Sequence, residues 1–553
     1  MSLKYLIFLI FLAGALLRLI NLGAGDPMGD EVLYAFRAVG PLDFDEAEFQ
    51  KTPLEWWDPN IPSWTKLSFH DHPPLVFWIQ HLFMRIFGEN TFAFRLPSAL
   101  LGIFSIYLLY LIGRQLFSQN VGLLAAAIFA VTVNHVFISR VGLQESYVLF
   151  FVLLTVYFFL KALQEDKYLI LTGLSLGLGL LTKYTTFIVV PIILTYLLIY
   201  RRDYFKNKKF WFGLVIALLI FSPVIIYNLK LYQAVGHFDF QISYILGQNP
   251  EIWKAAPGKE EIGTFTDRLR NFIPNLFGTN SWLFLLLFFG SLATLSKNKF
   301  LIITFIYLVT LLLFIGPAAR FLTMLTPFIA LSLAPFLILL FEKMRTASQK
   351  IGITVAFLFL AFETLYSINS QLLTYPKGSP FWLFSERIRK ENYNWGYNEL
   401  DKFLKLELKG KMPVLTFDSK YQFLEEIKNR YLDKAKEKGL KPYPALIVYD
   451  GNVYNSPQLW VLDRLQIYHG WPVINAQAYF TFLEERGEGY FEKSGLKFQY
   501  FIMPTDKVPL KKAERLTKHG ALIEQNLIAG GLEPIFILNR RGEAVFKIYK
   551  FST

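Results

Sequence analysis

The chain has 553 residues, of which 54% are hydrophobic and 18% charged, with a net charge of +13 and no cysteine. Soluble chains carry about 25% charged residues, so a string of soluble domains is excluded, and the missing cysteines exclude disulfide scaffolds, thiolate metal sites and cysteine nucleophiles. Residues 1–371 hold 28 Lys+Arg and 22 Asp+Glu, the last 182 residues hold 28 and 21, and no basic block interleaved with aromatics argues for nucleic acid.

Tyr5–Leu22 follows a single Lys4 and lacks a small-residue cleavage pattern, so it reads as a retained anchor rather than a cleaved signal peptide. Ten further apolar runs of about spanning length follow: Leu96–Ile112, Val121–Ile138, Ser146–Leu163, Tyr168–Leu181, Thr185–Tyr200, Phe210–Leu229, Trp282–Leu295, Phe300–Ile315, Phe321–Phe341 and Ile351–Ile368. Together they predict about 11 transmembrane helices within residues 1–371. Basic residues fall mainly in alternate short loops, at Arg114, Lys161, Lys167, Arg201 to Lys209, Lys297 and Lys299, and Lys343 to Lys350. The positive-inside rule then places the N-terminus in the cytoplasm and, with an odd number of spans, the C-terminus outside.

Two external connections are long, residues 23–95 and 230–281. Within the first, Pro74–Phe87 is apolar but too short to span and is expected to lie in the interface. Trp56, Trp57, Trp64, Trp78 and Trp253 fall in these loops, where rings sit at headgroup level. Residues 372–553 change character. Short apolar runs at 413–419, 445–450, 472–476, 497–504, 534–540 and 544–551 read as strands, with helices near 420–438, 457–468, 477–493 and 510–526. This alternation predicts an extracytoplasmic α/β domain, and no glycine-rich phosphate loop follows any of the strands.

Five clusters could carry chemistry. GDEVLYAFRA (29–38) places Asp30 and Glu31 where the chain leaves the first span, with Tyr34 following. Acids in a helix's first turn are favoured by its dipole, so capping accounts for the pair as readily as catalysis does. HDHPPLVFW (70–78) sets His70 and His72 around Asp71. With Asp30 and Glu31 these histidines have the ligand types for a divalent cation, while His72 suits a hydrogen bond to a phosphate or a sugar equally well. SRVGLQESYVLFF (139–151) puts Glu145 just inside a span, entering the membrane from the same face as Asp30. Lys183 in LGLGLLTKYTTFIVVP (176–191) and Arg320 in GPAARFLTMLTPF (316–328) are cations in otherwise cation-poor outer turns. An anionic headgroup or phosphate explains them, as does interfacial anchoring.

In order and position these motifs resemble the GT-C superfamily of integral membrane glycosyltransferases, in the branch of dolichyl-phosphate-mannose protein mannosyltransferases and bacterial aminoarabinose transferases. The resemblance rests on GDEVLYAFRA, HPPLVFW, FRLPSALLG (94–102), LQESYVLFF, LTKYTTFIVVP and RFLTMLTPFIAL (320–331), and covers about residues 5–370. NWGYNELDKFL (394–404) is similar in placement to the external domains of bacterial members. The resemblance implies transfer of one sugar from a polyprenyl-phosphate carrier to an acceptor hydroxyl (glycan, lipid or protein) on the outer face of the inner (plasma) membrane, usually with inversion. It implies Asp30 as the catalytic acid residue and Glu31 as the second of the pair. Glu145 stands where many members have Asp, and His72 where the aminoarabinose transferases have Lys. Lys183 and Arg320 match positions near the carrier phosphate. No cofactor is implied with certainty, and a divalent metal held by Asp30 and His72 stays open. A transporter or flippase of lipid-linked sugars is the alternative reading, although no paired inverted halves are visible.

Overall fold

A computed structural model describes residues 3–40, 63–248, 263–295, 298–342, 346–375, 393–418, 422–512 and 516–552. Trp56, Trp57, Trp253, Lys297, Lys343 and Arg345 lie outside the described residues, as do residues 376–392 after the expected domain junction. The helices, in chain order, are α1 (Leu3–Leu19), α2 (Asp30–Val39), α3 (Leu75–Phe87), α4 (Thr91–Leu116), α5 (Gln119–Val131), α6 (Val133–Arg140), α7 (Glu145–Ala162), α8 (Tyr168–Leu180), α9 (Val189–Tyr200), α10 (Lys208–Val235), α11 (Phe240–Ile245), α12 (Phe265–Thr279), α13 (Trp282–Leu295), α14 (Lys299–Ile315), α15 (Ala319–Leu322), α16 (Thr326–Glu342), α17 (Thr346–Ser367) and α18 (Tyr397–Glu407).

Each expected span contains helix. Among the described residues five helical stretches are long and apolar enough to cross a membrane: Thr91–Leu116, Glu145–Ala162, Lys208–Val235, Ala319–Leu340 and Thr354–Leu372. A sixth arises if α5 and α6, bent by 60° at Thr132, count as one span. The other apolar helices are shorter, such as the 13 residues of α8. The run Val121–Ile138 reads as one span although Thr132, Asn134 and His135 interrupt its apolar pattern where the bend falls.

Close helix approach follows from small residues, as expected where lipid offers no hydrophobic drive. A Cβ on Gly173 of α8 would sit 1.9 Å from the Gly213 carbonyl oxygen of α10, and one on Gly177 would sit 2.9 Å from that of Ala217. Arg140 turns out to be structural. Its guanidinium donates to the carbonyls of Leu17 (3.0 Å), Arg18 (3.2 Å) and Ile20 (2.8 Å), where a cation suits the C-terminal end of the α1 dipole. Helix α3 buries Val76, Phe77, Gln80 and Met84 while Leu82, Ile86 and Phe87 stay exposed, an amphipathic split that fits an interfacial helix.

The C-terminal region is α/β. Strands β1 (Lys411–Pro413) and β2 (Lys441–Tyr443) form a parallel pair. β3 (Ala445–Tyr449), β4 (Val473–Asn475), β5 (Phe498–Pro504), β6 (Ile535–Leu538) and β7 (Ala544–Ser552) form a mixed sheet in the order β4-β3-β5-β7-β6. β3 pairs in parallel with both neighbours and is buried along its whole length, as a strand covered on both faces should be. The run expected as a strand at 413–419 is strand only at its first residue. Leu415 and Phe417 instead pack as loop residues against the core. The helix expected near 510–526 starts later, at Lys518.

This domain and the membrane part share a core. Phe36 of α2 packs edge-on against Tyr468 (5.1 Å between centroids), and Phe94 of α4 against Trp460 (5.1 Å). The polar seam is equally specific. The Asp26 carboxylate accepts from the backbone N–H groups of Trp395 (2.6 Å), Tyr397 (3.1 Å) and Asn398 (2.8 Å), capping the start of α18 from the loop that follows α1. On the opposite side of the contact Glu89 meets Arg464, Lys405 and His469.

Candidate active site

Gly29 precedes α2 with φ 62° and ψ −145°, a backbone state open essentially to glycine alone, and nothing lies within 4 Å of where its Cβ would be. The turn it makes starts a helix at Asp30. Adjacent helical residues point about 100° apart, so the two acids diverge. Asp30 faces a cavity of about 570 Å³, with its side chain 43% exposed. Glu31 lines the same cavity at its base but is 1% exposed. One Glu31 oxygen is 3.0 Å from Arg95 Nε and 2.7 Å from the Gly142 N–H. The other is paired with Arg95 Nη2 and lies 3.3 Å from the Met28 N–H. The same guanidinium donates to the carbonyls of Leu22, Gly25 and Asp26, so Arg95 fastens the whole loop that presents Asp30.

Asp30 is ion-paired with Arg320, which enters from the short helix α15. Arg320 Nε lies 3.9 Å from Glu145 Oε1, and Lys183 Nζ donates to that same oxygen across 2.7 Å. Glu145 is 5% exposed at the first turn of α7, and its Oε2 has no hydrogen-bond partner among the described residues. Both cations sit over the Phe321 ring, Lys183 at 5.0 Å and Arg320 at 4.9 Å from its centroid. Four residues spread over 290 positions thus form one chain of alternating charge, Asp30–Arg320–Glu145–Lys183.

A second group adjoins it. Tyr34 Oη is 3.4 Å from His72 Nε2, with the rings edge to face. His72 Nδ1 lies 2.9 Å from Asp71 Oδ2, and Arg37 donates to Asp71 Oδ1 at 2.7 Å. Burial works to raise the Asp71 carboxyl, but Arg37, His72 and His70 outweigh it and hold the group well below the usual carboxylate range. Burial lowers the His72 ring from its usual value, opposed in part by Asp71. His70 stands apart from Asp30. Its carbonyl accepts the Phe240 N–H at 2.6 Å, and its ring meets that of Phe240 edge to face. Among the described residues no three His, Asp or Glu side chains stand together as a metal site, which leaves Asp30 and His72 without a third ligand.

Several contributors escape a reading of the sequence. Arg95 lies inside FRLPSALLG, where nothing marks it as the partner of Glu31. Asp239, buried beside the second group, accepts from Tyr184 Oη, from Asn228 Nδ2 (3.0 Å) and from the Ile242 N–H (3.0 Å). Trp395, Tyr454 and Pro509 of the C-terminal domain complete the wall of the cavity. Arg95 and Trp395 lie inside FRLPSALLG and NWGYNELDKFL, but no local pattern announces the part that any of these residues plays.

An apolar helical part followed by an α/β domain is the architecture of the GT-C fold, known from integral membrane glycosyltransferases. The chain has that fold. It superposes over 99% of its length on crystal structures of ArnT from Cupriavidus metallidurans, covering 98% of each. The TM-score is 0.51 in the apo state and 0.54 with undecaprenyl phosphate bound, at 13% and 12% identity. Residues 71–227 match the family model of dolichyl-phosphate-mannose-protein mannosyltransferase, a stretch that includes His72, Glu145 and Lys183 but neither Asp30 nor Arg320. A putative mannosyltransferase of Bacillus subtilis (strain 168), YycA, is 33% identical over 169 residues, 30% of this chain and 24% of that protein. The undecaprenyl phosphate-alpha-4-amino-4-deoxy-L-arabinose arabinosyl transferase of Wigglesworthia glossinidia brevipalpis is 25% identical over 170 residues, 29% of this chain and 30% of that protein. The chain spans about a quarter of the length of the first of these curated relatives. The resemblance drawn from the motifs is borne out in the family model matched by residues 71–227 and in the fold shared with ArnT.

Proposed function

We propose that the protein is a membrane glycosyltransferase that moves one sugar from a polyprenyl-phosphate carrier to an acceptor hydroxyl. The observation that carries this reading is the Asp30–Arg320–Glu145–Lys183 chain, whose Asp30 and Arg320 line a cavity large enough for a ligand. The acceptor oxygen attacks the anomeric carbon, the bond from that carbon to the phosphate oxygen breaks, and the acceptor proton passes to Asp30. The carrier leaves as a phosphate monoester dianion. General base action contributes about 10²- to 10⁴-fold, and Lys183 and Arg320 stabilise charge growing on the leaving phosphate in a site partly shielded from water. Displacement from the face opposite the phosphate inverts the anomeric centre.

Glu145 keeps the two cations within reach of one phosphate. Glu31 works at one remove: both of its oxygens are occupied by Arg95 and backbone amides, so it positions the loop and Asp30 performs the proton transfer. Tyr34, His70 and His72 belong to the side of the site that orients the sugar or its phosphate. The cavity opens on the outer face of the inner membrane, as the distribution of basic loops implies, and the N-terminus lies in the cytoplasm. A metal is not needed by this scheme, since the two cations supply the positive charge.

The test uses the full chain in membranes supplied with radiolabelled polyprenyl-phosphate sugar. Asp30→Asn is expected to reduce transfer by about 10²-fold or more. Transfer within about threefold of the unmodified protein, less than 1 kcal/mol of barrier, would rule Asp30 out as the base. A transporter or flippase would move the lipid-linked sugar without forming a glycosylated product.

A further inference from the structure

We infer that the acceptor is a neutral saccharide, held against Trp395 and Tyr454 of the C-terminal domain. The inference rests on the glycosyltransferase reading and adds the chemical class of its second substrate. The cavity has two unlike walls. Asp30, Glu31 and Arg320 stand on the membrane side, while Trp395, Tyr454 and Pro509 face them from the C-terminal domain, with Met28, Val141, Leu143 and Ala318 between.

Charge decides against an anionic acceptor. Among the described residues Arg320 is the one cation in the lining, and it is already paired with Asp30, while Glu31 is neutralised by Arg95. A phosphate or carboxylate on the acceptor would meet Asp30 with no cation left for it. A peptide fits poorly for a different reason. Its successive amides need partners such as a free strand edge or Asn and Gln side chains, and the lining contains neither.

A saccharide needs what this wall provides. The apolar C–H faces of a pyranose pack on aromatic rings, and its hydroxyls require neutral donors and acceptors placed beside them. Trp395 stacks on Tyr393 with ring centroids 5.2 Å apart, which fixes the indole. Its backbone N–H is bound by Asp26, so the plane of the wall is set by the same carboxylate that docks the domain. Neither the Trp395 indole N–H nor the Tyr454 hydroxyl has a hydrogen-bond partner among the described residues, and Tyr454 is 38% exposed. A sugar laid on this wall turns a hydroxyl toward Asp30 on the facing one.

The experiment measures binding without turnover. The full chain in nanodiscs is presented with mannotriose and maltotriose, with phosphorylated mannotriose and with a Ser/Thr-containing hexapeptide, and contact is read by saturation-transfer NMR with no donor present. Saturation of at least one neutral trisaccharide, in preference to the phosphorylated sugar and the peptide, is expected. Affinity should fall about tenfold in Trp395→Ala and recover in Trp395→Phe, while Tyr454→Phe, which removes only a hydroxyl, should give a smaller loss in an unaltered fold. Preferential contact with the peptide or the phosphorylated sugar overturns the inference, as does neutral-sugar binding indifferent to both substitutions. Failure here with Asp30-dependent transfer intact removes only the acceptor class. Sugar binding without any transfer removes the enzymatic reading instead.

Discussion

Arg320 is ion-paired to Asp30, so the cation proposed for the donor phosphate and the carboxylate proposed for the acceptor proton neutralise one another before substrate arrives. A carboxylate in an ion pair is a weaker base than a free one. Binding of the carrier phosphate must therefore draw Arg320 toward itself and toward Lys183, and only then is Asp30 free to take a proton. This ordering makes the base dependent on the donor.

Arg320→Gln and Lys183→Gln should each raise the KM for the lipid carrier by about ten- to hundredfold, the worth of a hydrogen bond to a charged group. They should differ in a second respect. Lys183→Gln leaves the Asp30 pair intact, whereas Arg320→Gln releases Asp30 in the absence of donor and should increase wasteful hydrolysis of the carrier sugar relative to transfer. Steady-state assays that vary donor and acceptor separately, with free sugar quantified, check both expectations. Equal carrier KM in the variants and the unmodified protein would rule out the phosphate role.

The adjacent acids show how far the sequence reaches. Their position at the end of a span marks the pair as a candidate without choosing between them. That Asp30 rather than Glu31 is left toward the cavity follows from Arg95, 64 residues on from Glu31, whose guanidinium claims Glu31. Spacing cannot reveal a partner that far along the chain. The same limit applies to Asp71: its neighbour His72 is visible in the motif, but Arg37 on α2 is brought in only by the fold. Most helix and strand positions are legible because they follow local periodicity. The 60° bend at Thr132 and the loop conformation of residues 414–418 are tertiary outcomes in segments whose apolar residues suit a straight span or a strand equally well.

Glu31→Gln separates positioning from catalysis. Removing one partner of a buried pair leaves Arg95 charged and unmatched, at a cost of about 3–5 kcal/mol. The variant should lose thermal stability together with activity. Arg95→Ala should resemble it in both respects. Asp30→Asn, on an exposed side chain, should lose activity with a melting temperature close to that of the unmodified protein. Thermal unfolding followed by intrinsic fluorescence in detergent distinguishes the two patterns. An Asp30→Asn variant as unstable as Glu31→Gln would contradict the division of labour.

Asp26 links the C-terminal domain to the catalytic loop. Its side chain caps α18 while its carbonyl accepts from Arg95, so the docked domain and the seat of Asp30 share one residue. Asp26→Ala leaves three backbone N–H groups without their acceptor, at about 1–3 kcal/mol for a buried group left unmatched. The expected outcome is a domain that is cut from the membrane part at lower protease concentration, together with reduced transfer at saturating donor. Unchanged cleavage would show that the shared apolar core holds the domain without the cap.

The seam between the domains should also respond to pH, through two groups of opposite sign. Burial raises Asp26 to about 7, opposed by the amides of Asn398, Tyr397 and Trp395. The folded chain therefore holds that proton more tightly than the unfolded one, and stability decreases as pH rises from about 4 through 7. For Glu89 burial acts upward but His469, Arg464 and Lys405 prevail and lower it to about 2. Its contribution is full above the ordinary value of 4.5 and is lost as pH falls toward 2. Each slope is at most about 1.4 kcal/mol per pH unit, and together they place the most stable docking between pH 4 and 5. Melting temperatures measured from pH 7.5 down to 3 should rise and then fall across that point. Asp26→Asn should flatten the upper limb alone and Glu89→Gln the lower limb alone. A profile in which either substitution changes both limbs equally would mean that the two contacts titrate as one unit rather than independently.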